Sequence, residues 1–99
     1  MAIGAWFEAA GFTQETYDAV SAAVGNQPPE GAVFHIAGPI EGGWRVIEVW
    51  ESEEAQKAFQ SERLNPAFQA VGASPVFPTY FEVYQTFPSP EEMRGASAA

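Results

Sequence analysis

A lone histidine, His35, stands in a short β-prone segment ahead of Glu48, a carboxylate in the middle of a second β-prone run. A histidine titrates near neutrality, and removal from water biases a carboxylate toward its protonated form, so together they can move a proton at a carbon or phenol of a bound ring. Trp44 and Trp50 flank Glu48 at the alternation of a strand, which puts all three on one face. Walls lined by rings suit flat aromatic ligands. Tyr17, Val46, Phe59 and Phe81 are the further candidates for such walls, with His35 and Glu48 as the candidate catalytic pair. The plainer alternatives are a strand histidine bonded to a neighbour, a buried carboxylate held by Arg45, Arg63 or a tyrosine, and tryptophans that only fill the core.

Other chemistries lack their residues. The chain has no cysteine, which excludes disulfides and thiolate zinc sites. It shows no phosphate-binding glycine loop, no dinucleotide fingerprint, no paired histidines at ligand spacing and no serine in a nucleophile elbow. Gly42-Gly43 is turn chemistry, and the spacing of His35 and the acids gives no support to a metal site. Thirteen acids against four bases give a net charge of −9, which repels phosphate backbones and anionic lipids. Neither nucleic acid nor membrane is expected as a partner. No stretch approaches the roughly 20 apolar residues that cross a bilayer, and the N-terminus lacks a basic, then apolar, leader pattern. A cytoplasmic location is the default expectation.

The elements that must position these residues are legible in the spacing of apolar and punctuating residues. At 99 residues, 46% hydrophobic and 14% aromatic, the chain fits one packed domain, expected over 1–88, with 89–99 as a flexible tail. The apolar run Ala2 to Ala10 predicts a first strand. Thr13 as N-cap and Gly25 as stop predict a helix over 14–24, with Tyr17, Val20 and Val24 on one stripe. The β-prone runs 32–37 and 44–50, separated by Gly38, Pro39, Gly42 and Gly43, predict a hairpin. Ser52, with Glu53 and Glu54 behind it, starts a second helix to about Arg63 whose buried stripe is Ala55, Ala58 and Phe59. Asn65-Pro66 predicts a fresh helical start at a kink, and the aromatic run 76–87 predicts a long last strand. The order strand-helix-strand-strand-helix-strand is that of an α+β, ferredoxin-like βαββαβ domain with a four-stranded antiparallel sheet.

A hairpin turn centred on Ile40 and Glu41 sets His35 opposite Val46, Val33 opposite Glu48 and Ala37 opposite Trp44, leaving His35 diagonal to Glu48. Along 44–51, Trp44, Val46 and Trp50 share a face with Glu48, while Ile47 and Val49 fall on the other with Arg45 and Glu51. Both faces are greasy. Two helices cover only one of them, so a second copy of the chain is expected on the other, giving a homodimer through the sheet.

The hairpin His35-Ile36-Ala37-Gly38-Pro39 to Gly42-Gly43-Trp44-Arg45-Val46, followed by Val49-Trp50-Glu51-Ser52 entering an acidic, alanine-rich helix, resembles the dimeric α/β-barrel family that includes antibiotic-biosynthesis monooxygenases. The resemblance spans about residues 2 to 87. It implies a cavity between helices and sheet, in which cofactor-free members oxidise aromatic polyketides to quinones with electrons drawn from the substrate itself. Trp50 matches the pocket tryptophan of that family. Val46 stands where some members place an asparagine, and the helix 53–63 lacks the histidine that haem-degrading relatives use as iron ligand. Polyketide cyclases and lactone isomerases share the fold, often with a histidine acid/base. The resulting expectation is a cofactor-independent monooxygenase-like or isomerase/cyclase-like enzyme for a small aromatic or polyketide-type substrate, without metal or cofactor; the alternative is a non-catalytic, small-molecule-binding dimeric module.

Overall fold

Two side-chain caps set where the helices begin. Thr13 Oγ1 accepts the Thr16 N–H at 3.2 Å and opens α1, Gln14–Val24, which Gly25 closes at φ +92°. Ser52 Oγ accepts the Ala55 N–H at 3.1 Å and opens α2, Glu53–Phe59. The chain then widens into a π-helical segment, Gln60–Leu64, before α3, Asn65–Ala70, whose first turn holds Pro66. The break expected at Asn65-Pro66 is thus a wider turn that already starts at Gln60.

This computed structural model describes residues 2–93. Its strands β1 (Ile3–Ala10), β2 (Ala32–Ile40), β3 (Gly43–Trp50) and β4 (Thr79–Glu82) form one antiparallel sheet in the order β2-β3-β1-β4. The result is the ferredoxin-like α+β fold that the element order predicts. One apolar cluster gathers Ala5, Phe7 and Trp50 with Phe59 and Leu64; a second joins Val20 to Ala67 and Phe68, and Leu64 and Val76 touch both. The helices therefore lie over the face that carries Ala5, Phe7 and Trp50. Burying each such large side chain stabilises the fold by roughly 1.5–3 kcal/mol.

The hairpin differs from expectation in register. Its turn is Glu41-Gly42, because Gly42 takes the left-handed φ of +78° that a side chain resists, and β2 runs on through Gly38 and Pro39 to Ile40. His35 consequently pairs with Glu48 directly, Ala37 with Val46 and Pro39 with Trp44, replacing the expected partners Val46 for His35 and Trp44 for Ala37. The shift is an even one, so every side chain from Phe34 to Ile40 keeps its face. Val33, expected opposite Glu48, sits instead in a bulge between Ala32 and Phe34 and is buried.

Three other expectations change. The last strand is confined to Thr79–Glu82 rather than running over 76–87; it starts after Pro78, and beyond it the Val83 N–H still reaches the Ala2 carbonyl at 3.1 Å. Ala58 is exposed, and the buried stripe of α2 continues through Gln56 and Gln60. The segment expected as a tail begins with a helical turn over 90–93, where Ser89 Oγ accepts the Glu92 N–H at 3.3 Å and Met93 is buried. Residues 94–99 of that expected tail lie outside the described residues.

The sheet face away from the helices carries Trp6, Ile36 and Phe81, each between 44% and 49% exposed. Arg45 lies across the Trp6 ring at 5.1 Å and reaches Glu8 at 3.3 Å. The Phe81 ring rests on Gly4, where any Cβ would collide with it. This face is the apolar one that the alternation of β3 predicts.

Candidate active site

The β2–β3 ladder brings the only histidine to a carboxylate, and α1 brings a phenol to both. His35 Nδ1 lies 2.8 Å from Glu48 Oε2, and the Tyr17 hydroxyl lies 2.8 Å from His35 Nε2. The Trp50 indole N–H donates to Glu48 Oε1 at 2.8 Å. An indole N–H only donates, so the carboxylate is held at both oxygens, by the imidazole on one and the indole on the other. With Glu48 as acceptor, Nδ1 carries the hydrogen of the neutral ring, and Nε2 is left as the basic nitrogen that accepts the Tyr17 O–H. The Tyr17 pKa is raised, mainly by burial and further by the negative charges of Glu48 and Asp18, so this phenol keeps its proton.

These groups line a cavity of about 320 Å³ between the sheet and the helices. That size is at the lower end of small-molecule sites. Phe7, Val46 and Trp50 form its floor on the sheet, while Val20, Phe59, Leu64 and Phe68 close it from the helices. The Tyr17 ring stacks on Trp44 at 5.4 Å and 27°, and the Trp50 ring packs on Phe59 at 5.4 Å. The Trp44 indole nitrogen is buried and has no acceptor among the described residues.

The structure thus brings His35, Glu48, Trp44, Trp50, Tyr17, Val46 and Phe59 around one cavity. Phe81 is not among its walls: it pairs with Gly4 on the opposite face of the sheet, because Tyr80, not Phe81, shares the face of Ala5. Glu48 is held by His35 and Trp50, not by either arginine. Among the described residues no three His, Cys, Asp or Glu side chains stand together as a metal cage, and no helix is long and apolar enough to cross a membrane.

A polar chain runs beside the cavity, where the sequence reading places none. The Tyr80 hydroxyl donates to Gln56 Oε1, Gln56 Nε2 donates to Gln60 Oε1 at 3.0 Å, and Gln60 Nε2 donates to Asn65 Oδ1 and the Val76 carbonyl, both at 2.9 Å. Gln56 is wholly buried. The helical spacing of Gln56 and Gln60 beside Phe59 is the signal that could have found it.

The chain matches no family model and no curated protein. Its fold does have solved counterparts. A candidate antibiotic biosynthesis monooxygenase from Chloroflexus aurantiacus J-10-fl is 18% identical and superposes with a TM-score of 0.57 over 87% of this chain and 94% of that one. A variant of SnoaB, a cofactor-independent oxygenase from Streptomyces nogalater, is 20% identical, with a TM-score of 0.56 over 89% of this chain and 97% of its own. What is shared is the fold. The fold expected from the hairpin and the Trp50-Glu51-Ser52 junction is therefore shared with both of these structures across nearly the whole domain.

Proposed function

We propose that this protein is a cofactor-independent acid/base enzyme that takes a proton from a small aromatic or polyketide-type ring bound between sheet and helices. The observation that carries this reading is the connected set Tyr17, His35 and Glu48, with the basic nitrogen of His35 fixed by its carboxylate partner inside a ring-lined cavity. Tyr17 can hand its proton to Nε2 while its oxygen takes one from an activated C–H or O–H of the ligand. Glu48 then stabilises the imidazolium. The ligand is left as an enolate or phenolate, whose charge the imidazolium formed in the same step balances.

From that anion an isomerase or cyclase returns the proton elsewhere on the ring. An oxygenase passes electrons from the anion to O2, so that a CH2 group and O2 become a carbonyl and water with no external reductant. The description of SnoaB as a cofactor-independent oxygenase favours the second course. A binding module without catalysis is the remaining reading, supported by the predominance of apolar side chains in the wall. The exposed Trp6, Ile36 and Phe81 support a homodimer in which a second copy covers the open sheet face.

The test uses anthrone and hydroxyanthrones in deuterated buffer, first without oxygen and then with it. Deuterium entering the acidic C–H without oxygen, abolished in His35→Ala, is the expected result; oxygen uptake with quinone formation identifies the oxygenase course. A ligand that binds yet is recovered with neither exchange nor oxidation assigns the cavity to binding alone.

A further inference from the structure

We infer that the cavity selects uncharged ligands, and that a ring carrying a carboxylate, phosphate or acidic carrier group is rejected while its neutral ketone, phenol or amide counterpart is accepted. This deepens the proposed function by naming the charge class of its substrate, and it rests on that reading only for the location of the ligand.

The argument is an inventory of charge around the cavity. Glu48 is its one acid, 7% exposed, and among the described residues no lysine or arginine lines it. Each described cation is engaged elsewhere. Arg63 donates to the carbonyls of Val24 at 3.0 Å and Gln27 at 2.9 Å, with its guanidinium over Phe59. Lys57 pairs with Glu53 at 2.7 Å, and Arg45 lies with Glu8 on the far face of the sheet. Arg94 is outside the described residues. Asp18 on α1 adds a second negative charge felt at Tyr17. The chain as a whole carries −9.

An anion entering this space would lose its hydration, meet Glu48 across an apolar interior and find no lysine or arginine among the described residues to pair with. The donors available are neutral. The Tyr17 hydroxyl, already shared with His35, and Ser21 supply the neutral hydroxyls among its walls. Both suit a carbonyl or hydroxyl oxygen. Neither compensates a full charge in an apolar setting.

The test is equilibrium binding by calorimetry, at neutral pH, of three ligands of matched shape: 2-acetonaphthone, 2-naphthamide and 2-naphthoate. The ketone and amide are expected to bind about tenfold or more tightly than the carboxylate, and Glu48→Gln is expected to narrow that gap. Ketone and amide must agree with each other, which separates charge from shape without relying on the variant. Equal affinity for all three, or tighter binding of the naphthoate, overturns the charge filter and leaves the acid/base reading standing. Failure of all three to bind overturns the cavity as a ligand site, and the filter with it.

Discussion

His35 and Glu48 face each other across the β2–β3 ladder, 2.8 Å apart from Nδ1 to Oε2, and this contact leaves the imidazole with one defined lone pair, on Nε2. Tyr17 meets that lone pair. The carboxylate–imidazole–phenol order orients a base at the wall of an otherwise apolar cavity, and each member has a separable part.

Replacing His35 removes the base but little of the wall. His35→Ala is expected to lower kcat for deprotonation by about 10²–10⁴-fold, with KM changed far less. Glu48→Gln keeps the shape and loses the charge that supports the imidazolium, so a fall in kcat is expected there too. Steady-state rates with an anthrone substrate check both, and a His35→Ala enzyme as fast as the parent would remove His35 from the chemistry.

The two cavity tryptophans differ in what their N–H groups do. Trp50→Phe deletes the bond to Glu48 and leaves a buried carboxylate oxygen short of a donor, at a cost of about 1–3 kcal/mol. Trp44→Phe deletes a donor that has no acceptor among the described residues. Urea unfolding should therefore show Trp50→Phe as clearly the less stable of the two. The reverse order would show that the Trp44 N–H has a partner and that the Trp50 contact is not formed.

The residues that set elements were legible because each acts within its own few neighbours: Thr13 and Ser52 at helix starts, Gly25 at a helix end, and the alternation from Trp44 to Trp50. The grouping of His35, Glu48, Trp44 and Trp50 on one face was legible too, since an even error in register leaves faces unchanged. The register itself was not, because Gly38-Pro39 reads as a turn although both residues continue β2, an edge strand where a proline's missing N–H is tolerated. The burial of Gln56 and Gln60 is not legible because it depends on partners distant in sequence, Tyr80 and the Val76 carbonyl. Phe81 was misplaced for a simpler reason. The phase of β4 is fixed only by its pairing with β1.

Alkaline pH should weaken the fold through two phenols. Burial is the main cause that raises the pKa of both Tyr17 and Tyr80. Above the ordinary tyrosine value of about 10, the unfolded chain releases these protons while the native chain still holds them, so stability falls as pH rises. Below that value their contribution is complete. Melting temperatures between neutral and strongly alkaline pH check this, and a Tyr17→Phe/Tyr80→Phe chain is expected to show a flatter decline.

The glutamine chain should be costly to interrupt. Gln60→Leu leaves Gln56 Nε2 without its acceptor and Asn65 Oδ1 and the Val76 carbonyl without their donor, an expected loss of about 2–3 kcal/mol. A loss well under about 1 kcal/mol in denaturant unfolding would mean that water or rearranged side chains replace these bonds.

A charge on the open sheet face should prevent self-association if a second copy covers it. Ile36→Lys places an ammonium on the sheet face that carries Trp6 and Phe81 without touching the cavity. Sedimentation is expected to give a dimer for the parent and a monomer for the variant; a parent that sediments as a monomer at micromolar concentration refutes the proposed pairing.

His35 belongs to the outermost strand of the sheet, and its side chain is 48% exposed. Bulk water therefore touches the same imidazole that is proposed as the base. A captured proton can escape directly to solvent or to a buffer molecule, with no internal wire of waters or side chains required. In the proposed reaction this recharges the base between turnovers from outside the cavity, and dissolved imidazole or phosphate should speed that resetting where it limits the cycle.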